Sequence, residues 1–164
     1  VNANVIAYLG DCPETGDAQR WLEALVAEGG LDGSSKWYPD TIAIYYAIAR
    51  AAVRAAALDG LRPILADRIL DLRDEKEGFG NVLGTAQAVS ALHDAGGLEK
   101  TGAMDLLERI LGWQREDGSW PELLAFGDQE LKWGAFGQIG HGSEAVTGAF
   151  CIEALERLID VLEA

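Results

Sequence analysis

The chain has 164 residues, 49% of them hydrophobic, and a formal net charge of −14 from 27 acidic and 13 basic side chains. That length and apolar content suit one domain with a real core and exclude a disordered chain, while no apolar run is long and charge-free enough to span a bilayer. The excess of acid argues against nucleic acid and anionic membrane surfaces as partners, and two cysteines, Cys12 and Cys151, are too few for a disulfide scaffold, so a reducing, cytoplasmic setting is expected.

Val1 to Leu9 reads as the end of an apolar helix closed by Gly10, so the chain is expected to belong to a longer parent. Asp17 is placed to cap a helix whose stripe is Trp21, Leu22, Leu25 and Val26, and Gly29-Gly30 stops it. After the loop Leu31 to Pro39, Asp40 or Thr41 opens a helix to Ala57 that is apolar nearly all round and therefore expected inside. The pattern then returns. Pro63 starts a helix with Ile64, Leu65, Ile69 and Leu72 on one side and Asp67, Arg68, Asp71 and Arg73 on the other. Thr85 to Ala95 is a second inner helix, closed by Gly96-Gly97. A third charged helix, Thr101 to Trp113, leads into a long loop, Gln114 to Gly142, and Ser143 or Glu144 opens the last helix, which runs to Leu162.

The stretch Gln114 to Trp120 stands out. Asp117-Gly118 is a turn pair, the Gln114 amide can satisfy free backbone groups at a neighbouring helix end, and Trp120 offers a broad face to lie over it. Weaker versions recur, since Trp37, Phe79 and Trp120 are spaced about 40 residues apart, each ahead of an inner helix. A period in that range means stacked helical hairpins, here with a charged outer and an apolar inner helix, in units 17–59, 61–97 and 100–163 of a single domain covering 1–164.

Gln114, Gly118 and Trp120 match the Q-x-x-x-G-x-W core of the QW motif, and the chain resembles the prenyltransferase and squalene-hopene cyclase repeat superfamily. The resemblance implies an all-α fold, an α/α toroid of two concentric helix layers. Family members close that ring with more hairpins than the three and a leading half found here, so a partial toroid is expected. Its apolar centre implies an isoprenoid or other apolar ligand.

The catalytic signatures of the family are missing. No D-x-D-D acid occurs. Asp71, Asp74 and Glu75 share a helical face and could hold Mg²⁺, but such clusters are usually solvated faces. Cys12, Cys151, His93 and His141 lack the spacing of a Zn²⁺ site, and Cys151 sits among apolar neighbours. No metal cofactor is therefore expected. A diphosphate would need a metal or a local basic pocket, and the sequence displays no cluster of Lys and Arg.

The long loop carries His141, which with Glu144 would form an acid–base pair near a helix N-terminus, or else the loop packs its aromatics over the repeat edge. Tyr38, Tyr45 and Tyr46, with Trp133 and Phe136 of that loop, are the substrate-binding candidates, as a cation–π wall or as plain core. Trp37 and Phe79 are assigned to structure with the QW residues. Two readings result: a terpenoid-cyclase-like domain that binds or transforms an apolar substrate, or a non-catalytic toroid module for ligand binding or assembly. In either, a homodimer or a missing parent segment is expected to complete the ring.

Overall fold

The computed structural model describes residues 1–31, 34–35, 37–38, 40–74, 76–127 and 140–164. Among these residues there are seven α-helices: α1 (Asn2–Leu9), α2 (Gly16–Ala27), α3 (Thr41–Arg54), α4 (Arg62–Asp71), α5 (Val82–Ala95), α6 (Lys100–Gly112) and α7 (Glu144–Glu163). Two short strands, β1 (Leu124–Gly127) and β2 (Gly140–Gly142), complete an otherwise all-α fold.

The side chains at the helix starts explain where several of them begin. Asp40 Oδ1 accepts from the Ile42 amide at 2.9 Å, Asn81 Oδ1 from Gly84 at 2.9 Å and Ser143 Oγ from Val146 at 3.1 Å. Asn81 corrects the sequence reading of α5. Its cap starts the helix at Val82, so Thr85 lies within the helix as a buried residue. Asp17 is likewise not a cap. It falls in the first turn of α2 and pairs with Arg20, while Thr15 is drawn into the chain's main buried polar network. There Thr15 Oγ1 donates to the Gly10 carbonyl at 2.9 Å and receives from Gln19 Nε2 at 2.9 Å. Gln19 Nε2 also donates to Asp11 Oδ1, and Asp11 Oδ2 accepts from the Ala56 amide at 3.0 Å. That last bond joins the α1–α2 corner to the extended Ala55 that ends α3, three residues before the expected Ala57.

Packing follows the alternation read from the sequence. The apolar helices form one row: α1 lies on α3, α3 on α5, and α5 on α7. The charged helices sit behind it, with α4 against α3 and α5, and α6 against α5 and α7. α2 packs on α1 and on the 3-10 turn Ala56–Leu61. The expected stripes are buried in part: Leu22 and Val26 of α2 and Leu65 and Ile69 of α4 are buried, whereas Trp21, Ile64 and Leu72 of the same stripes are exposed; on α6 the buried residues are Ala103, Leu106 and Ile110. The approach of α4 to the α5–α6 corner requires small residues, because a Cβ on Gly97 would lie 2.6 Å from the Ala66 Cβ. The outer helices are tied at the surface by Asp105, which takes Arg109 Nε at 2.8 Å and Arg73 Nη2 at 2.5 Å.

The strands were not expected. β1 and β2 pair antiparallel, with Phe126 opposite His141 and Gly127 opposite Gly140. Both flanking positions of β2 are glycines because a Cβ there would collide with Leu123 or Leu124. The Gly127 amide donates to the Trp37 carbonyl at 2.9 Å, which lays the hairpin beside the segment leading into α3. No described helix is long and apolar enough to cross a membrane.

Candidate functional site

Three adjoining cavities border the helix row, and the spacing of side chains on α3 determines much of what lines them. Ala43, Ala47 and Arg50, with Tyr46 beside them, fall on one side of that helix. Together with Gln87 of α5 and Phe150 of α7 they enclose a cavity of about 120 Å³, roofed by Ala125 and Phe126 of β1. Tyr46 is its centre. Its ring meets Phe150 edge-on at 5.2 Å and 78°, and the Arg50 guanidinium lies 5.3 Å from its centroid on the ring face. Its hydroxyl donates to Glu153 Oε2 at 2.8 Å. Burial, reinforced by that carboxylate, pushes the phenol well above the usual tyrosine range, so it remains an un-ionised donor.

A second cavity, of about 390 Å³, shares Asn4, Tyr38 and Phe126 with the first and opens between the hairpin and Trp37. Tyr38 and Phe126 pack tilted at 5.7 Å, and Asn4 Nδ2 donates to the Tyr38 hydroxyl at 3.3 Å. His141 is on its rim, exposed.

The third cavity, of about 360 Å³, shares Arg50 with the first and has a different character. Arg50 and Arg54 come from α3, Arg62 from the start of α4, Arg157 from α7, and His93 and Asp94 from the end of α5. Asp94 is 7% exposed and gathers its neighbours: Arg157 Nη2 at 3.6 Å, His93 Nδ1 at 3.4 Å, and Arg62 Nε on its backbone carbonyl at 2.9 Å. Arg62 also pairs with Asp59 at 3.0 Å. The sequence showed no such basic cluster, and this cavity corrects that reading. Four of the 13 basic residues meet here. Only Arg50 and Arg54, four residues apart on an apolar helix, gave a local signal; Arg62 and Arg157 arrive through the fold.

The remaining candidates fall as follows. Tyr45 is buried in the core and lines none of these three cavities. Trp133 and Phe136 lie outside the described residues. His141 and Glu144 are not brought together as an acid–base pair. The Glu144 carboxylate is held by Arg115 of the preceding turn, while His141 faces Phe126 across the strand pair. Between the two residues the chain changes from strand to helix at Ser143, whose side chain caps α7. Asp74 is occupied in its own turn, accepting from the Lys76 and Glu77 amides at 2.7 and 2.8 Å; those bonds hold its carboxyl below the usual range. Glu75 lies outside the described residues. Cys151 is fully buried on α7, and burial pushes its thiol up to about 12. Cys12 is half-buried in the turn before α2, where its sulfur lies 3.6 Å from Thr15 Oγ1. Among the described residues no three His, Cys, Asp or Glu side chains are grouped to hold a metal ion.

The QW stretch acts as a clamp through a different atom from the one expected. Gln114 is exposed, and its Nε2 donates to the Gly118 carbonyl at 3.0 Å, closing its own turn instead of reaching another helix. Gly118, at φ +84°, supplies the left-handed corner, and Asp117 Oδ1 accepts from both the amide and hydroxyl of Ser119. Trp120 is 5% exposed, and its indole N–H donates at 2.9 Å to the Ile110 carbonyl at the end of α6, which also accepts from the Trp113 amide at 3.3 Å. Its ring passes Gly148 of α7, where an added Cβ would touch it at 3.9 Å. Phe79, also buried, precedes α5 in the equivalent place, whereas Trp37 is 44% exposed.

No protein-family model matches the chain, and no curated protein or solved structure matches it at a significant level.

Proposed function

We propose that the chain is a toroid-type helical-repeat domain, similar in kind to terpenoid cyclases, that binds an apolar small molecule such as an isoprenoid on the α1–α3–α5–α7 face. The observation that carries this reading is the aromatic cavity itself, where Tyr46, Phe150 and Phe126 converge over Ala43 and Ala47 with few polar groups, the usual composition of a small-molecule site. The alternating rows of inner and outer helices support the toroid class, since hairpins stacked in this way are its building unit.

Binding is favoured over turnover by the state of the polar groups. Tyr46 is committed to Glu153, Glu144 to Arg115, and the face of Tyr46 that would stabilise a carbocation already meets Arg50. Among the described residues no Asp or Glu lines the aromatic cavity, and the sequence has no D-x-D-D motif. The test is an apolar fluorescent dye and a short isoprenoid alcohol titrated into the wild type and into Ala47→Leu, which fills the cavity from a residue 7% exposed. The expected result is saturable dye binding, displaced by the alcohol and reduced at least about tenfold in the variant, the scale of one well-buried apolar group. Dye binding that is unsaturable, or equal in a folded Ala47→Leu variant, contradicts the reading.

A further inference from the structure

We infer that the basic cavity is a binding site for a compact oxyanion, a phosphate group. The first argument is charge balance. The chain as a whole carries −14, yet Arg50, Arg54, Arg62 and Arg157 converge on one cavity of about 360 Å³, with His93 beside them. The carboxylates nearby are few and already engaged. Asp59 pairs with Arg62, Asp94 lies between His93 and Arg157, and Glu153, one turn before Arg157, is bonded by Tyr46. Arg50 and Arg54 have no carboxylate within ion-pair distance among the described residues. Both are exposed guanidiniums on adjacent turns of α3 that can aim at one anion. Four like charges gathered without enough counter-charge are unfavourable in the empty protein and are relieved by an anion.

The second argument comes from the wall between the cavities. Gln87, Ser90 and Asp94 follow i, i+3, i+7 spacing on α5, so they share a face of that helix. Gln87 lines the aromatic cavity and Asp94 the basic one. Ser90, between them in sequence, is fully buried and lines neither cavity, and its hydroxyl is the buried side-chain polar atom left without a hydrogen-bond partner among the described residues. Such an atom is rare in a folded chain, and it lies one turn from Asp94 behind the basic cavity.

Size selects the ligand. The acidic field of the rest of the chain repels extended polyanions such as nucleic acid, whereas an anion a few ångströms across sits inside the Arg cluster. The surrounding charge is screened beyond about 8 Å at physiological salt. The phosphate could be free or the head of a molecule whose alkyl tail enters the aromatic cavity, since Arg50 borders both. The anion site itself does not depend on the apolar-ligand reading.

The experiment is an amide chemical-shift titration at constant ionic strength with inorganic phosphate, and separately with hexyl phosphate. Chloride serves as the control anion. Wild type should show saturable shifts in α3, at the end of α5 and in α7 with phosphate but not chloride. Arg54→Gln should weaken binding about tenfold at an unchanged melting temperature, since it has no carboxylate partner to orphan, and Arg50→Gln/Arg54→Gln about a hundredfold, with a slightly lower melting temperature because the Arg50–Tyr46 contact is also lost. The charge-matched pair Arg68→Gln/Arg115→Gln, away from the cavity, should bind as wild type. Tighter binding of hexyl phosphate, abolished by Ala47→Leu, identifies a head group; equal affinities identify free phosphate. Absence of saturable shifts with both probes overturns the inference, and so does undiminished binding by the α3 double variant or an equal loss in the charge-matched pair. Failure of the apolar dye test with phosphate still bound would remove only the apolar-ligand reading.

Discussion

α5 and α7 look alike in sequence, both apolar with Ala at intervals, and the fold treats them differently. In α5 every residue from Val82 to Ala95 except His93 is buried. In α7, twenty residues long, only Thr147, Cys151, Ala154 and Leu158 are, and Ile152 and Ile159 are 55% and 48% exposed. Neighbours account for the difference. α5 has α3 and α7 at its sides and α4 and α6 behind, whereas α7 packs chiefly on α5 and α6 and meets α3 through Tyr46. The opposite end of the row shows the same effect: α1 buries Ala3 and Ile6 but exposes Val5, Tyr8 and Leu9. Hydrophobicity identifies a helix of the inner row, and position in that row decides how much of it is covered.

The sharpest way to break this comparison is to place a charge in each helix. Val89→Asp sets an unpaired carboxylate at a fully buried site of α5 and should cost about 4 kcal/mol or more, enough to unfold much of the population in a circular-dichroism melt. Ile152→Asp on α7 should stay within about 0.5 kcal/mol of wild type, as exposed substitutions do. Similar losses in the two variants would mean that the outer side of α7 is covered in solution.

The next effect is at the clamp that holds α7 to α6. Trp120→Ala should cost about 3 kcal/mol by denaturant unfolding, since it empties a buried aromatic site. Trp120→Phe should cost about 1 kcal/mol beyond its packing change by removing the shorter of the two hydrogen bonds to the Ile110 carbonyl. Gln114→Ala should fall well below either, because its bond is within an exposed turn.

The smallest effect concerns the outer row. The guanidinium of Arg109, then that of Arg73, holds the Asp105 carboxyl below the usual aspartate range. A lowered folded pKa means the unfolded chain binds the proton more readily. The contribution is therefore present above the ordinary aspartate value and is lost as pH falls through the lowered one. The pair is 45% exposed on the Asp105 side, so solvent screening limits it to about 0.5 kcal/mol. Asp105→Asn should lower the melting temperature slightly near neutrality and leave it unchanged in strong acid.

The sequence made the helix rows legible because helical period and glycine stops are local signals, but the stripes of α2 and α4 were read too wide: Leu22, Val26, Leu65 and Ile69 are buried while Trp21, Ile64 and Leu72 are exposed. It placed the start of α5 at Thr85, whereas Asn81 caps the helix and starts it at Val82. It missed β1 and β2, whose pairing joins residues on either side of a long loop through only three registered positions. The pairing of His141 with Glu144 was read from proximity in sequence, and the turn at Ser143 directs Glu144 to Arg115 instead. The basic cavity was out of reach for a different reason. Arg50 and Arg157 are brought to one place only after α3, α5 and α7 have packed side by side.

That same side-by-side packing creates the aromatic cavity, and one contact spans it. The Tyr46 hydroxyl of α3 donates to Glu153 of α7, 107 residues away in the chain. A double-mutant cycle with Tyr46→Phe and Glu153→Ala measures that contact directly in unfolding free energy. The packing described here predicts a coupling of about 1.5–3 kcal/mol, the range for a hydrogen bond to a charged group. Strict additivity of the two substitutions would mean that α3 and α7 do not meet over Gln87, and that the cavity is not built as described.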